Sequence, residues 1–331
     1  MTFDDLRALA AGFQPSQLLL TALELGVFDL VADGPRSVAE IARELDLDPR
    51  ATEIAANALV ALGLLELGPR GYDNTEAVAR FLVRASADYR GSVLLHLHAT
   101  WEDWAGLSET WRTGRPALRR KTQQLPSSPE GLRHFILGME NVTRELAPLL
   151  ADRLPLAGCR RVLDLGGGPG NYALAFVRRW PNLHVAHFDL PPTSVIARDF
   201  LSGRDGAERI SFQEGDFLTA PLGEGYDFVW ASQIVHMLSE DEGRRLLGRV
   251  AQTLRPGGRV GVHDQFLEPS RTAPRGAALF GVHMLVATDG GRTYALDEVL
   301  GWLGDAGLVP ESPLDYGGPS RVALARKEDR P

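Results

Sequence analysis

The sequence predicts an α/β protein, in which a doubly wound domain with a parallel sheet is preceded by a mostly α domain. Up to residue 157, apolar residues recur three and four positions apart, as in amphipathic helices. Beyond that point, short β-rich runs alternate with amphipathic helices, which is typical of a parallel sheet covered on both faces. A glycine-rich turn, Gly166–Gly170, follows the first of these runs.

The composition is that of an acidic globular protein. The 331 residues are 44% hydrophobic and 24% charged, with a formal net charge of −8, and the length indicates about two domains. Because nonspecific nucleic-acid binding needs clustered Lys and Arg, the charge favours a small-molecule partner and no nucleic acid. Cys159 is the single cysteine, no apolar run reaches membrane-spanning length and the N-terminus is acidic, so we expect a cytoplasmic protein without a membrane partner.

The N-terminal segment, residues 1–113, has the pattern of a winged helix. Ser37 and Glu40 form a capping box that predicts a helix from Val38 to Leu45. A second helix is predicted after Asp48-Pro49, and a small hairpin follows over residues 64–73. Winged helices commonly bind DNA, but the second helix carries one Arg and one Glu among small and apolar residues, whereas helices that read the groove need exposed basic and amide side chains. A structural or dimerising role is therefore favoured.

Residues 114–157 are predicted to be a helical linker, with a loop from Thr113 to Pro129 and helices from Gly131 to Leu154. Residues 158–331 are predicted to form the doubly wound domain, whose ligand should lie at the carboxyl ends of the parallel strands. Its last two strands should form a hairpin closed by the turn Tyr316–Pro319. The predicted strands are Arg161–Leu165, Leu183–Leu190, Ile210–Asp216, Tyr226–Ala231, Arg259–Phe266, Val309–Asp315 and Arg321–Arg326.

The glycine-rich turn indicates the class of cofactor. Gly166 and Gly168 permit a tight turn and the close approach of a ligand to the backbone. A dinucleotide-binding turn has a further glycine where this chain has Asn171, and no basic residue is present to meet a pyrophosphate. Asp164, just before the turn, suits a cation. The predicted cofactor is therefore S-adenosyl-L-methionine, a sulfonium cation.

Two further strand ends supply candidate cofactor contacts. Asp189, followed by Leu190, ends the second strand, where its carboxylate can accept hydrogen bonds from ribose hydroxyls; dinucleotide enzymes share such an acid. Asp216 ends the third strand, where it can accept from the adenine amino group while the Phe217 ring packs on the base. The alternative is that Asp216 only caps a turn.

With these motifs, the chain from about residue 160 resembles the class I S-adenosylmethionine-dependent methyltransferases, whose domain is Rossmann-like. Nearly the full length resembles the small-molecule O-methyltransferases, which include plant caffeate and hydroxyindole O-methyltransferases and bacterial tailoring enzymes of secondary metabolism. The resemblance extends to Ala11–Phe13 and Ala22–Phe28 near the N-terminus. It implies a homodimer formed through a winged-helix dimerisation domain, and a small, aromatic methyl acceptor.

The resemblance also implies the catalytic residues. His236 matches the family's catalytic histidine, Asp264 matches an acid that orients it, and Ser232 lies where relatives place a cofactor contact. The chemistry agrees, because a phenol has a pKa of about 10 and must lose its proton, which a histidine of pKa about 6.5 can accept as a general base. The carboxylate would fix the histidine tautomer. The alternative is a structural histidine at a strand-to-helix turn.

The chain departs from the family where plant-type members place a second acid near the histidine. Gly291 falls at about that position, and Asp289 could substitute. A rival arrangement adds His283, on a helix predicted to line the substrate cavity: with His236 and Asp264 it would suit a facial metal triad, as in relatives that methylate the carbon beside a keto acid. The alternative, favoured by the ligand spacing, is that His283 contacts the substrate and no metal binds.

The resemblance places Met139 and Asn141 on a helix within reach of the site, as candidate substrate contacts, although such side chains also commonly form core. Three functions follow. The leading one is O-methylation of a small aromatic metabolite with His236 as base. The second is C-methylation, with or without a metal. The third is a noncatalytic S-adenosylmethionine-binding or DNA-binding regulator, whose DNA-binding form would need a basic wing, where Arg70 is the only charge in the turn.

Overall fold

The computed structural model describes residues 1–118 and 128–329. The chain divides into two compact units, Met1–Thr100 and Trp101–Pro331. The three-part division with boundaries after residues 113 and 157 stays a prediction. Of the predicted loop from Thr113 to Pro129, residues 119–127 lie outside the described residues.

The first unit consists of short helices and one hairpin. Its helices are α1 (Phe3–Ala11), α2 (Phe13–Glu24), α3 (Val27–Leu30), α4 (Val38–Glu44), α5 (Pro49–Ala61), α6 (Glu76–Phe81) and α7 (Gly91–Ala99). Its strands are β1 (Leu65–Gly68) and β2 (Gly71–Asn74), which pair antiparallel. No single helix of the described residues is long and apolar enough to cross a membrane; only Phe3–Glu24 and Val27–Asp33 together, bent by 56° at the break between them, meet that criterion.

Local signals explain where the helices of the first unit begin. Glu40 N–H donates to Ser37 Oγ at 3.3 Å and Ser37 N–H donates to the Glu40 carboxylate at 2.8 Å, which is the predicted capping box. Asp48 accepts from Ala51 N–H at 2.8 Å and starts α5. The predicted order of helix, helix and hairpin is confirmed.

The second unit surrounds one sheet. Its helices are α8 (Trp101–Ala105), α9 (Leu107–Thr113), α10 (Pro129–Thr143), α11 (Leu146–Arg153), α12 (Asn171–Arg179), α13 (Pro191–Leu201), α14 (Glu240–Thr253), α15 (Arg275–Ala287) and α16 (Leu296–Asp305). Its strands are β3 (Arg161–Leu165), β4 (His184–Asp189), β5 (Ile210–Glu214), β6 (Tyr226–Ser232), β7 (Leu254–Asp264), β8 (Val309–Pro310) and β9 (Arg321–Arg326).

The seven strands of these described residues lie in the order β5-β4-β3-β6-β7-β9-β8. Strands β3 to β7 are parallel, and β9 runs antiparallel to both of its neighbours. This confirms the doubly wound sheet with a terminal hairpin. The first strand of that hairpin was expected to reach Asp315 but ends at Pro310. Pro313 has no N–H to donate, which interrupts the ladder, and pairing with β9 resumes at Leu314, which bridges Val322.

Alternate residues of the central strands face opposite layers. In β3, Val162 packs with α11 and α12, whereas Leu163 packs with α14 and α16. Strand β3 pairs with β4 on one side and with β6 on the other, so the strand order reverses between β3 and β6. In a doubly wound sheet, ligands bind in the crevice at the carboxyl ends of the two strands at such a point. The glycine-rich turn follows β3, and His236 follows β6.

Candidate active site

The glycine-rich turn joins β3 to α12. Gly166 has a φ of +68°, and a Cβ there would lie 2.6 Å from Ile234 Cγ2, so both the conformation and the space require glycine. The buried His187 of β4 supports the turn: its Nε2–H donates to Gly168 O at 3.0 Å, and a Cβ on Gly167 would lie 2.5 Å from its ring. Burial lowers the pKa of His187. The sequence patterns do not indicate this histidine.

Two carboxylates lie at the turn, the buried Asp164 and the half-buried Asp189. Asp189 accepts from the backbone N–H of Gly168 at 2.8 Å and of Leu190 at 2.7 Å, so the end of β4 meets the turn directly. Asp164 accepts from Ala173 N–H at 3.2 Å, at the start of α12. Burial raises the pKa of both carboxyls, that of Asp164 to about 7. A bound cation would favour their ionised forms, so the chemistry of this donor set fits a positively charged ligand such as S-adenosylmethionine.

Asp216 follows β5 and does cap a turn. Its Oδ1 accepts from Leu218 N–H at 2.8 Å, and its carbonyl accepts from Ala220 N–H at 2.7 Å. Its Oδ2 forms no hydrogen bond with a described residue, so turn capping and a contact to a ligand are compatible. Phe217 is buried in the core of the second unit. The contacts of both residues to adenine stay predictions.

The adjacent carboxyl ends of β6 and β7 bring His236 and Asp264 together. After Ser232, Gln233 adopts a φ of +58°, a left-handed conformation rare outside glycine, and the chain turns into the short 3₁₀ helix Val235–Met237. His236 Nδ1 lies 2.8 Å from Asp264 Oδ1, and the His236 backbone N–H donates to Oδ2 at 3.2 Å. Both side chains are buried. Since a carboxylate only accepts, Nδ1 carries the proton of the neutral ring and Nε2 has a free lone pair.

The second nitrogen of His236 is available for chemistry. Among the described residues none forms a hydrogen bond with His236 Nε2. The Phe280 ring of α15 lies edge-on to the imidazole, with 4.7 Å between the ring centroids. An imidazole held by a carboxylate at Nδ1 can accept a proton at Nε2, and Asp264 then stabilises the imidazolium.

Position 291, where plant-type members of the family place an acid, has no room for a side chain. A Cβ at this position would lie 2.5 Å from His236 O and 2.4 Å from Thr288 Oγ1, so no larger side chain fits. Asp289 is exposed, and the carboxylate bonded to the His236 ring is that of Asp264. Within the described residues, neither Gly291 nor Asp289 supplies a second carboxylate to the ring.

A buried polar network surrounds His263, the residue before Asp264 in β7. His263 of β7 is 1% exposed. Its Nδ1 lies 2.8 Å from Ser232 Oγ, and its Nε2 lies 2.8 Å from Ser320 Oγ and 3.1 Å from Tyr316 Oη. Burial lowers the pKa of His263 to about 4, so the ring is neutral near pH 7. The network holds Ser232, the predicted cofactor contact, in place. The only sequence signal for this network is a histidine within an apolar strand.

His283 lies one helical turn after Phe280 on α15. Trp104 of α8 donates from Nε1 to His283 Nδ1 at 3.3 Å, and the Phe280 and His283 ring centroids are 5.9 Å apart. Among the described residues, no three His, Cys, Asp or Glu side chains are grouped to hold a metal ion. His236 is bonded to Asp264 and His283 to Trp104, so the alternative metal triad is not assembled.

The two predicted substrate contacts lie on α10. Met139 is half-buried, whereas Asn141 is buried and donates from Nδ2 to the Glu140 carboxylate at 2.9 Å. Asn171, at the start of α12, joins this helix to the glycine-rich turn by donating to Glu140 O at 3.1 Å and to Thr143 Oγ1 at 2.9 Å. Contacts of Met139 and Asn141 with an acceptor stay predictions.

Known families and proteins match this chain over nearly its whole length. The family model of the O-methyltransferase domain matches residues 119–308, and that of the O-methyltransferase dimerisation domain matches residues 8–84. The chain is 32% identical to the tetracenomycin polyketide synthesis 8-O-methyl transferase TcmO of Streptomyces glaucescens, over 98% of this chain and 96% of that protein. It is 33% identical to the N,N-dimethyltransferase OxyT of Streptomyces rimosus, over 81% and 80%.

The closeness extends to three-dimensional structure. The crystal structure of human N-acetylserotonin methyltransferase in complex with S-adenosylmethionine has a TM-score of 0.87 and 29% sequence identity to this chain, and covers 98% of this chain and 97% of its own. The resemblance and the cofactor predicted from the sequence are thereby confirmed. The chain belongs to the S-adenosylmethionine-dependent O-methyltransferase family.

Proposed function

We propose that this methyltransferase acts on a hydroxyl of a small aromatic molecule, with His236 as the general base. The observation that carries this is the 2.8 Å contact between His236 Nδ1 and Asp264 Oδ1, which leaves Nε2 to receive a proton. The Phe280 ring beside His236 and the Trp104 ring beside His283 favour an aromatic acceptor. The names of TcmO and of human N-acetylserotonin methyltransferase support an acceptor of this kind.

The residues divide the work of the reaction. Bound S-adenosylmethionine supplies an electrophilic methyl group. His236 accepts the hydroxyl proton at Nε2, which a phenol of pKa about 10 does not lose by itself at neutral pH. Asp264 holds the tautomer and stabilises the imidazolium that forms.

We assign the cofactor to the turn and the strand ends around it. The backbone at Gly166 and Gly168 allows its close approach, and Asp164 and Asp189 provide negative charge where burial makes that charge most sensitive to a cation. Further contacts are assigned to Leu190, Asp216, Phe217 and Ser232. Acceptor contacts are assigned to Met139, Asn141 and His283.

The assembly we infer is a homodimer whose interface is formed by the N-terminal unit. The match of the dimerisation domain over residues 8–84 supports it. The remaining partner is a small-molecule acceptor, without nucleic acid or membrane, in keeping with the net charge of −8. A single cysteine fits a reducing compartment such as the cytoplasm.

Substitution of His236 tests the base. We expect His236→Ala to lower kcat for a phenolic acceptor about 100- to 10,000-fold, because general-base catalysis contributes that range, while calorimetry shows S-adenosylmethionine binding unchanged. His184→Gln, at an exposed histidine at the start of β4, is the matched control and should keep full activity. Full transfer by His236→Ala would exclude this role for His236.

The acceptor atom is measured separately. With ¹³C-methyl-labelled cofactor, the ¹³C chemical shift of the product distinguishes a methyl group on oxygen from one on nitrogen or carbon. We expect an O-methyl signal from a panel of phenols and keto acids. A C-methyl product, an N-methyl product as the name of OxyT suggests for that relative, or cofactor binding without transfer would each contradict the proposal.

A further inference from the structure

Trp104 determines the protonation of His283. Its indole Nε1 lies 3.3 Å from His283 Nδ1, and an indole N–H can donate but cannot accept. His283 Nδ1 must therefore be unprotonated, so the neutral ring carries its proton on Nε2. A second proton would set two N–H groups against each other. Burial acts in the same direction and lowers the pKa of His283, as does His236, while the nearby Asp103 opposes it.

Two imidazoles with opposite chemistry contact the same aromatic ring. The Phe280 centroid lies 4.7 Å from that of His236 and 5.9 Å from that of His283. In His236 the partner at Nδ1 is a carboxylate, so Nε2 accepts. In His283 the partner at Nδ1 is an indole N–H, so Nε2 donates. No described residue forms a hydrogen bond with either Nε2, so both are free to meet a ligand.

We propose that Trp104 is a positioning residue that holds His283 as a neutral Nε2–H donor, and that the acceptor is a hydroxylated aromatic compound with a carbonyl oxygen elsewhere on its ring system. The inference rests on the proposed function, because it takes the hydroxyl to face His236. A carbonyl suits a neutral donor better than a carboxylate does, since a buried carboxylate needs a compensating charge. It also suits His283 better than a second hydroxyl does, because a carbonyl only accepts.

The tautomers can be measured directly. In full-length protein labelled with ¹⁵N-histidine, two-bond ¹H–¹⁵N spectra report the protonated nitrogen of each ring, and His283→Gln assigns the His283 signals. We expect Nε2–H for His283 and a shift toward a mixture of tautomers in Trp104→Phe. Trp111→Phe, at a tryptophan of α9 that is 78% exposed, is the matched control and should leave the His283 signals unchanged. A wild-type His283 protonated at Nδ1 would overturn the proposal.

Acceptor preference tests the proposed substrate class. The probes are pairs of hydroxyanthraquinones and hydroxyanthracenes with the hydroxyl at the same ring position, compared by the ratio of kcat/KM. We expect His283→Phe to lower the preference for the quinone about tenfold and Trp104→Phe about threefold, as for the loss and the weakening of one hydrogen bond. The Gln side chain of His283→Gln has an N–H donor whatever its neighbours, so this variant should retain the preference for the quinone. Adding Trp104→Phe to His283→Gln should then have no further effect on the preference.

The outcomes separate this inference from the proposed function. His236→Ala should lower transfer to both members of a pair alike, whereas changes at His283 and Trp104 alter their ratio. A ratio that is equal in wild type, His283→Phe and Trp104→Phe would overturn the inference while leaving His236 as base. If neither probe accepts a methyl group, the proposed carbonyl-bearing class is wrong for these ring systems, and the tautomer spectra still decide the role of Trp104.

Discussion

At the glycine-rich turn Asp164 is buried and Asp189 is half-buried, and desolvation raises the pKa of each carboxyl. The pKa of the Asp164 carboxyl is about 7, whereas its ordinary value is 3.8. In the unliganded protein the neutral acid therefore predominates below pH 7, and Asp164 stabilises the fold less as the pH rises through that value. A cation bound beside it reverses the preference, because it favours the carboxylate.

Cofactor affinity should consequently depend on pH. Between about pH 5.5 and 7.5, below the usual α-amino pKa of about 8, we expect S-adenosylmethionine to bind several-fold more tightly at the higher pH, as measured by calorimetry. Asp164→Asn should weaken binding and flatten this dependence, leaving the part due to Asp189. Asp205→Asn, at an exposed aspartate, is the control. An unchanged pH dependence in Asp164→Asn would show that Asp164 does not sense the cofactor.

Single residues also show what sequence patterns miss. His187 and His263 each lie in an apolar strand, where a histidine is compatible with either face and any partner. Their partners, Gly168 O for one and Ser232, Ser320 and Tyr316 for the other, come from distant parts of the chain. The local pattern therefore could not indicate that one supports the cofactor turn and the other anchors the end of β6.

At the scale of elements, the Asn171 side chain fastens α10 to α12 with two hydrogen bonds. The same residue distinguishes this turn from a dinucleotide-binding turn in the sequence. The structure explains why this turn has asparagine and not glycine at position 171, because a glycine could not donate to Glu140 O and Thr143 Oγ1. The helix that carries the predicted acceptor contacts is thus coupled to the predicted cofactor turn.

Replacing Asn171 should lower both the stability of the fold and the affinity for the cofactor. We expect Asn171→Ala to lower the free energy of unfolding by about 1–3 kcal/mol, since two hydrogen bonds between α10 and α12 are lost, and to weaken cofactor binding, as measured by urea denaturation and calorimetry. Asn182→Ala, at an exposed asparagine before β4, provides the comparison and should change neither. Wild-type stability and affinity in Asn171→Ala would argue against this coupling.

Element boundaries were harder to predict than element types. The strand expected from Arg259 begins at Leu254, where it pairs with Tyr226 before a register shift in β6. The periodicity of side chains identifies a strand, but its length depends on which backbone groups of a neighbour are available to pair.

At the scale of the whole molecule, the N-terminal helices expose large apolar side chains. Leu9 of α1 is 63% exposed and Phe13 of α2 is 56% exposed, and both lie in the segment matched by the dimerisation domain. Large apolar side chains exposed within a dimerisation domain are candidates for a protein interface.

Disrupting this surface should change the oligomeric state. We expect light scattering to show a dimer for the full chain and a shift toward monomer for Leu9→Glu and Phe13→Glu, because a buried unpaired charge opposes association. Val195→Glu, at a 64% exposed residue of α13 in the second unit, should leave the dimer intact. A monomeric wild type would refute the homodimer, and dimeric Leu9→Glu and Phe13→Glu would place the interface elsewhere.

The sequence by itself determined the fold class, the cofactor and the family, because side-chain periodicity, the glycine-rich turn and strand-end acids are properties of short segments. It also paired His236 with Asp264 through the resemblance of those segments. Only the tertiary structure decided the protonation of the site. Trp104 and His283 are 179 residues apart along the chain, and a tautomer or a shifted pKa depends on the neighbours that folding brings together.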